Sequence, residues 1–171
     1  MLKILGALMI LFSGTGLSLC MCKNATMRIN SLREQLRIFN IISGQIRFEQ
    51  ASLPEIALSL SESKSEYGYF FKKLCEKMKE DHKRPFIRLW QECISECLRD
   101  TALTAGDKDE LNSFGRDFGS TDRQLQLGII NDYTKRIGEK ADELEKAKKS
   151  TNKLYCTLGI LGSLFIIIVL Y

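Results

Sequence analysis

Residues 130–147, INDYTKRIGEKADELEKA, carry the pattern that decides the fold. Apolar side chains recur there every three or four positions, at Ile130, Tyr133, Ile137, Ala141, Leu144 and Ala147. Charged residues of both signs occupy the positions between them, at the spacing of neighbours on a helix surface. This near-heptad period predicts a long amphipathic helix over residues 121–150. No proline separates it from Leu154, so the helix can continue into the apolar C-terminus.

The same period predicts five shorter helices before it. They begin near residue 29, at Ser52, at residue 66, at Pro85 and at Asp107, with a break over residues 101–106. Ser52-Leu53-Pro54-Glu55 and Asp107-Lys108-Asp109-Glu110 have the form of capping boxes, in which the first side chain caps the helix and the fourth reaches back. The chain has two Pro and twelve Gly, which argues against a turn-rich β domain. We therefore predict an all-α bundle of about six helices.

Both ends of the chain are almost free of charge. All 21 acidic residues and all but one of the 25 Lys and Arg lie between Lys23 and Lys153. The uncharged residues 4–22 would span about 28 Å as a helix, close to the thickness of a bilayer core. The C-terminal stretch is similar and ends in seven large apolar residues. We predict an N-terminal transmembrane segment (1–22), a helical domain (23–153) and a C-terminal transmembrane helix (154–171).

Basic residues beside the two apolar ends predict the orientation. Lys23 and Arg28 follow the first stretch, and Lys146, Lys148 and Lys149 precede the second. The positive-inside rule then places residues 23–153 in the cytoplasm. The alternative starts from residues 17–20, LSLC, which are similar to a lipoprotein cleavage box although Leu19 is bulky for it. In that case the chain is an exported adaptor outside the cytoplasm, lipid-anchored or bearing a signal peptide.

Signals of chemistry are sparse. The sequence has no phosphate-binding loop, no dinucleotide fingerprint and no hydrolase or zinc-protease motif. Its one histidine, His82, stands in a charged run, and Cys93 and Cys97 could form half a metal site without a second pair. Positive and negative charges nearly balance in the middle of the chain, whereas nucleic-acid binding needs a concentrated basic patch. We predict no enzymatic activity, no cofactor, no bound metal and no nucleic-acid partner.

Two features point to interaction instead. Small residues four apart in the apolar ends, Gly14 with Ser18 and Gly159 with Ser163, would let membrane helices approach closely. Residues 114–124, FGRDFGSTDRQ, concentrate charges and glycines at a helix junction. The candidate junction residues are Phe114, Gly115, Arg116, Asp117, Gly119, Asp122 and Arg123. Their charges would form either a docking surface or an internal lattice of ion pairs, and the sequence leaves both open.

The chain resembles the stage III sporulation protein AB family of endospore-forming bacteria along nearly its whole length. The matching residues are 1–7 (MLKILGA), Phe48-Glu49, Leu53-Pro54-Glu55, Trp90, 111–124 (LNSFGRDFGSTDRQ) and 158–162 (LGILG). The block 114–124 is the most specific part. Phe118 departs from the smaller aliphatic residue that is usual there.

The resemblance implies a function as a membrane scaffold. The family is a component of a secretion-like channel complex that links mother cell and forespore, in the mother-cell membrane facing the forespore. Its soluble domain is similar to the cytoplasmic domains of platform proteins in type II secretion and type IV pilus machines. Implied partners are other stage III sporulation membrane proteins, a cytoplasmic ATPase and the lipid bilayer, within an oligomer or a multi-protein complex.

Overall fold

A computed structural model describes the backbone of residues 2–80, 84–118 and 122–170 and the side chains of residues 23–80, 84–118 and 122–149. The described residues form six α-helices and no strand. The helices are α1 (Leu2–Gly44), α2 (Leu53–Ser61), α3 (Glu66–Glu80), α4 (Phe86–Cys97), α5 (Ala105–Phe118) and α6 (Arg123–Leu170). A single π-helical turn, Gln45–Glu49, extends α1. The prediction of an all-α bundle is confirmed.

Each helix runs antiparallel to the next, because the connections are short, and α6 returns alongside α1 to close the bundle. The pairing of α1 with α6 is the most extensive in the molecule. Arg33 of α1 contacts Asp142 of α6, and the opposite end of the pair is joined by a hydrogen bond from the Arg123 side chain to the Arg47 carbonyl oxygen. We call the end near Lys23 and Lys149 the proximal end, and the end near Phe48 and Arg123 the distal end.

The core consists of the predicted apolar stripes. Ile130, Tyr133, Ile137 and Ala141 of α6 are all at most 1% exposed. They meet α1, where Gln35 is completely buried and its Oε1 accepts a hydrogen bond from the Tyr133 hydroxyl at 3.1 Å. Burial raises the pKa of Tyr133 well above its usual value, so the hydroxyl stays a donor.

Aromatic rings fill the distal half of the core. Trp90 of α4 is 2% exposed, and its Nε1 donates to the Leu111 carbonyl oxygen at 3.0 Å. Phe114 packs on Phe39 at 4.5 Å and on Phe118 at 4.8 Å between ring centroids. Phe118 is therefore a core residue, at 2% exposed.

Two predicted helix starts have different outcomes. The capping box at Ser52 is confirmed, since the Ser52 amide donates to Glu55 Oε2 at 2.7 Å. The predicted start at Asp107 is wrong, because α5 begins at Ala105. Thr104 caps this helix, and its amide donates to Asp107 Oδ2 at 2.9 Å. Asp107 is thus the fourth residue of the box, and both of its oxygens also contact distant partners.

Among the residues that the structure describes, no helix combines the length and the apolar character needed to cross a membrane. The predicted spans, residues 1–22 and 154–171, lie outside the side chains that the structure describes. The same holds for Gly14, Ser18, Gly159 and Ser163.

Candidate interaction surface

The predicted junction residues separate into a buried group and a surface group. Phe114 and Gly115 are buried, and an added Cβ at Gly115 would lie 2.2 Å from Trp90 Cδ1. A glycine is therefore needed at 115 for the indole ring to pack against α5. These two residues build the core behind the surface rather than the surface itself.

The charged junction residues lie at the distal end. Arg116 and Asp117 are exposed on the last turn of α5. Asp122 caps α6, where its Oδ1 accepts the amides of Gln124 at 2.8 Å and Leu125 at 3.2 Å. Arg123 donates to the carbonyl oxygen of Arg47 and so fastens the start of α6 to the π turn. Gly119 lies outside the described residues.

None of the salt bridges found between described side chains joins Arg116, Asp117 and Arg123 to one another. Both alternatives, the docking surface and the ion-pair lattice, stay predictions. Two exposed apolar side chains, Phe48 and Leu125, lie at the same end of the bundle. We call this set the distal surface: Arg47, Phe48, Glu49, Arg116, Asp117, Asp122, Arg123 and Leu125.

A different charged cluster, which sequence reasoning missed, lies toward the proximal end. Asp107 is completely buried, and it accepts hydrogen bonds from Arg28 Nε at 2.8 Å and Nη2 at 3.0 Å. Lys140 Nζ lies 2.7 Å from Asp107 Oδ1, the oxygen that also accepts the Nη2 hydrogen bond. This Asp107 cluster ties α1, α5 and α6 together. The members of the cluster are far apart in sequence, so no local sequence motif predicts it.

Charge pairing in this cluster determines the protonation of Asp107. Burial alone would raise the pKa of the carboxyl group. The hydrogen bonds from Arg28, Lys140 and Thr104 outweigh burial and hold the pKa well below its usual range. Asp107 is therefore ionised at neutral pH. Its one negative charge is shared between Arg28 and Lys140, and both of its oxygens accept hydrogen bonds, so it has the character of a structural group.

The structure describes the side chains of three of the six cysteines. Cys75 and Cys93 are buried and Cys97 is partly exposed, and all three are free thiols. Burial raises the pKa of Cys93 to about 12, so its thiol is protonated and unreactive at neutral pH. In the part of the chain that the structure describes, no three His, Cys, Asp or Glu side chains converge as a metal site would require.

The fold and the distal surface define a six-helix bundle with exposed charged and apolar side chains at one end. The family model for stage III sporulation protein AB matches residues 3–171, and the chain belongs to that family. It is thus a sporulation protein. No curated protein and no solved structure matched it.

Proposed function

We propose that the chain is a membrane-anchored, non-enzymatic scaffold of the sporulation channel complex and that its distal surface docks the cytoplasmic ATPase of that complex. One observation carries the proposal. Phe48-Glu49 and residues 114–124 both carry the family resemblance and are far apart in sequence, yet they meet at the distal end through Arg123 and Arg47. A shared surface built from distant segments is the expected form of a binding site.

The direction of the helices supports the anchor. The apolar stretch of α1 precedes Lys23 and that of α6 follows Lys149, so both lie beyond the same, proximal end of the bundle. Two spans that leave one end of a domain suit a single membrane. The distal surface then stands about 35 Å from that membrane, since α1 rises about 1.5 Å per residue from Lys23 to Phe48.

A binding titration tests the docking function. The full chain in lipid nanodiscs is mixed with the purified sporulation ATPase, and binding is followed by light scattering or interferometry. We expect saturable binding by the wild type. Binding retained by a variant with charges reversed at Arg116 and Asp117 would contradict docking through the distal surface.

A labelling experiment tests the cytoplasmic orientation against the exported adaptor. Cys93 is too deeply buried to report, so the probe is Asp117→Cys in a chain that also carries Cys97→Ser. A membrane-impermeant maleimide should label this thiol only after lysis. Labelling in intact cells would establish the exported adaptor instead.

The pairing of α1 with α6 predicts which small residues of the two apolar ends lie opposite each other. A Cβ at Gly138 would lie 3.9 Å from the Leu36 side chain. Counting equally from Leu36 back to Gly14 and from Gly138 forward reaches Ile160, next to Gly159. We therefore expect a chain carrying Gly14→Cys and Gly159→Cys to form a disulfide within membranes under mild oxidation. Gly14→Cys with Ile167→Cys serves as the mismatched control.

A further inference from the structure

A buried amide group lies between α1 and α6. Gln35 of α1 is completely buried, and its Oε1 accepts the hydrogen bond from the Tyr133 hydroxyl of α6 at 3.1 Å. Its Nε2 is buried as well and meets no acceptor at hydrogen-bond geometry among the described groups, although the Tyr67 hydroxyl of α3 lies nearby. A buried donor without an acceptor lowers stability relative to an apolar side chain of similar size. Stability alone therefore does not account for a glutamine at this position.

The apolar face of α1 is wide enough to allow more than one packing. At about 100° per residue, the buried side chains from Ile38 through Phe39 and Leu32 to Ile29 cover about half of the helix circumference. Apolar burial has no preferred direction, so a helix with such a face can turn about its axis by one position and still bury most of it. Gln35 lies near the middle of this face, where a turn of the helix would move it away from α6.

The facing stripe of α6 is also repetitive. Ile130, Ile137 and Ala141 are at most 1% exposed, and they recur at nearly heptad spacing. Tyr133 is the member of this stripe that carries a polar group. In helix pairs with repeating apolar contacts, a single buried polar residue fixes the register and lowers the stability.

We propose that Gln35 and Tyr133 form a polar lock, which selects one rotation and one register of α1 against α6 from the packings that the apolar stripes alone allow. In any other packing the Gln35 amide group and the Tyr133 hydroxyl would be buried apart, each without its partner. The polar lock thus acts mainly by destabilising the competing packings.

The polar lock is more restrictive than the Asp107 cluster. Arg28 and Lys140 reach Asp107 with long side chains that are 24% and 31% exposed, so they can follow a small turn of α1. The ring of Tyr133 is instead enclosed by Phe39 and Phe114, at 4.8 and 4.9 Å between ring centroids. Its hydroxyl has little freedom to follow a displaced partner.

Paired substitution separates selection from stabilisation. The full chain is studied in detergent micelles as wild type, as Tyr133→Phe, and as the double variant Gln35→Met with Tyr133→Phe. Tyr133→Phe alone leaves Gln35 without a partner and should lower the denaturation midpoint. The double variant removes both polar groups at similar volume, so its midpoint should equal or exceed that of the wild type. It should nevertheless show more than one amide cross-peak for core residues of α1 and α6 in ¹H–¹⁵N NMR spectra.

Leu32→Met is the matched control, because it changes a completely buried side chain of α1 without touching a polar group. It should keep a single set of cross-peaks. A single set in the double variant would overturn the polar lock. An unfolded double variant would overturn it too, because the apolar stripes alone would then not suffice for a compact bundle.

A disulfide on the surface reports the packing directly. Arg33 and Asp142 are joined by a salt bridge between α1 and α6, so Arg33→Cys with Asp142→Cys should crosslink under mild oxidation, as identified by peptide mass. Arg33→Cys with Lys149→Cys, two turns further along α6, should crosslink little. In the double-variant background the first yield should fall at least about twofold, because packings of similar free energy share the population. A gain at the second pair then shows a shift in register, and a loss without it shows a turn of α1. Unchanged yields would overturn the proposal.

Discussion

The Asp107 cluster and the distal surface use charge in opposite ways. At Asp107 the carboxylate is completely buried and paired with two cations from other helices. At the distal surface Arg116 and Asp117 are exposed, and no salt bridge among the described residues involves either. Removing one partner from a buried cluster leaves uncompensated charge, whereas exposed charges contribute little to stability. The first arrangement therefore stabilises the fold, and the second remains available to a partner.

The largest effect should come from Asp107→Asn. This change keeps the size of the side chain but removes the counter-charge of Arg28 and one of the two carboxylates that pair with Lys140, the other being Glu110. We expect a loss of about 3 kcal/mol in the free energy of unfolding, measured by denaturant titration of the full chain in detergent micelles. Asp109→Asn, an exposed acid one half-turn away, is the control and should change stability by less than about 0.5 kcal/mol. Equal effects would show that the cluster does not stabilise the fold.

The same cluster should respond to acid. The pKa of Asp107 is lower in the folded chain than its unfolded value of about 3.9, so its contribution is fully present above that value. The contribution is lost as the pH falls through the folded pKa. The stability difference between wild type and Asp107→Asn should therefore be constant from pH 7 to 5 and shrink below pH of about 4. A difference that is unchanged at pH 3 would argue against an ionised Asp107.

Gly115→Ala should rank next. Its Cβ would meet the indole ring of Trp90, which is held by packing and by its hydrogen bond to the Leu111 carbonyl oxygen. Overpacking of this kind costs about 2–3 kcal/mol. Gly128→Ala has no atom within 4 Å of the new methyl group and should stabilise α6 by about 0.5–1 kcal/mol. Tolerance of Gly115→Ala without loss would mean that the ring can move away, and the tight junction behind the distal surface would be disproved.

The contrast between the two regions also explains what the sequence could predict. The burial of the stripe from Ile130 to Ala141 could be predicted from the sequence, because helix periodicity is a local property. Asp107 was misread as a helix start because Asp-x-x-Glu and Thr-x-x-Asp both fit a capping box, and the structure has Thr104 as the cap. The distant partners of Asp107, Arg28 and Lys140, are not visible in the local sequence. For Phe48 a signal did exist, since it lies off the stripe that includes Ile42 and Ile46. Its exposure follows from the same period that buries Ile46.

The smallest effect on stability, and the sharpest test of the contrast, is the charge exchange Arg116→Glu with Asp117→Lys. Net charge is preserved, and both side chains are exposed on the last turn of α5. The reversed charge at 116 opposes the helix dipole only weakly, so unfolding should change by less than about 1 kcal/mol. Binding of the sporulation ATPase should fall about tenfold, because the exchanged charges would then face like charges of the partner across the interface. A folded variant that binds normally would remove these charges from the docking surface. An unfolded variant would instead assign them the structural role that the Asp107 cluster has.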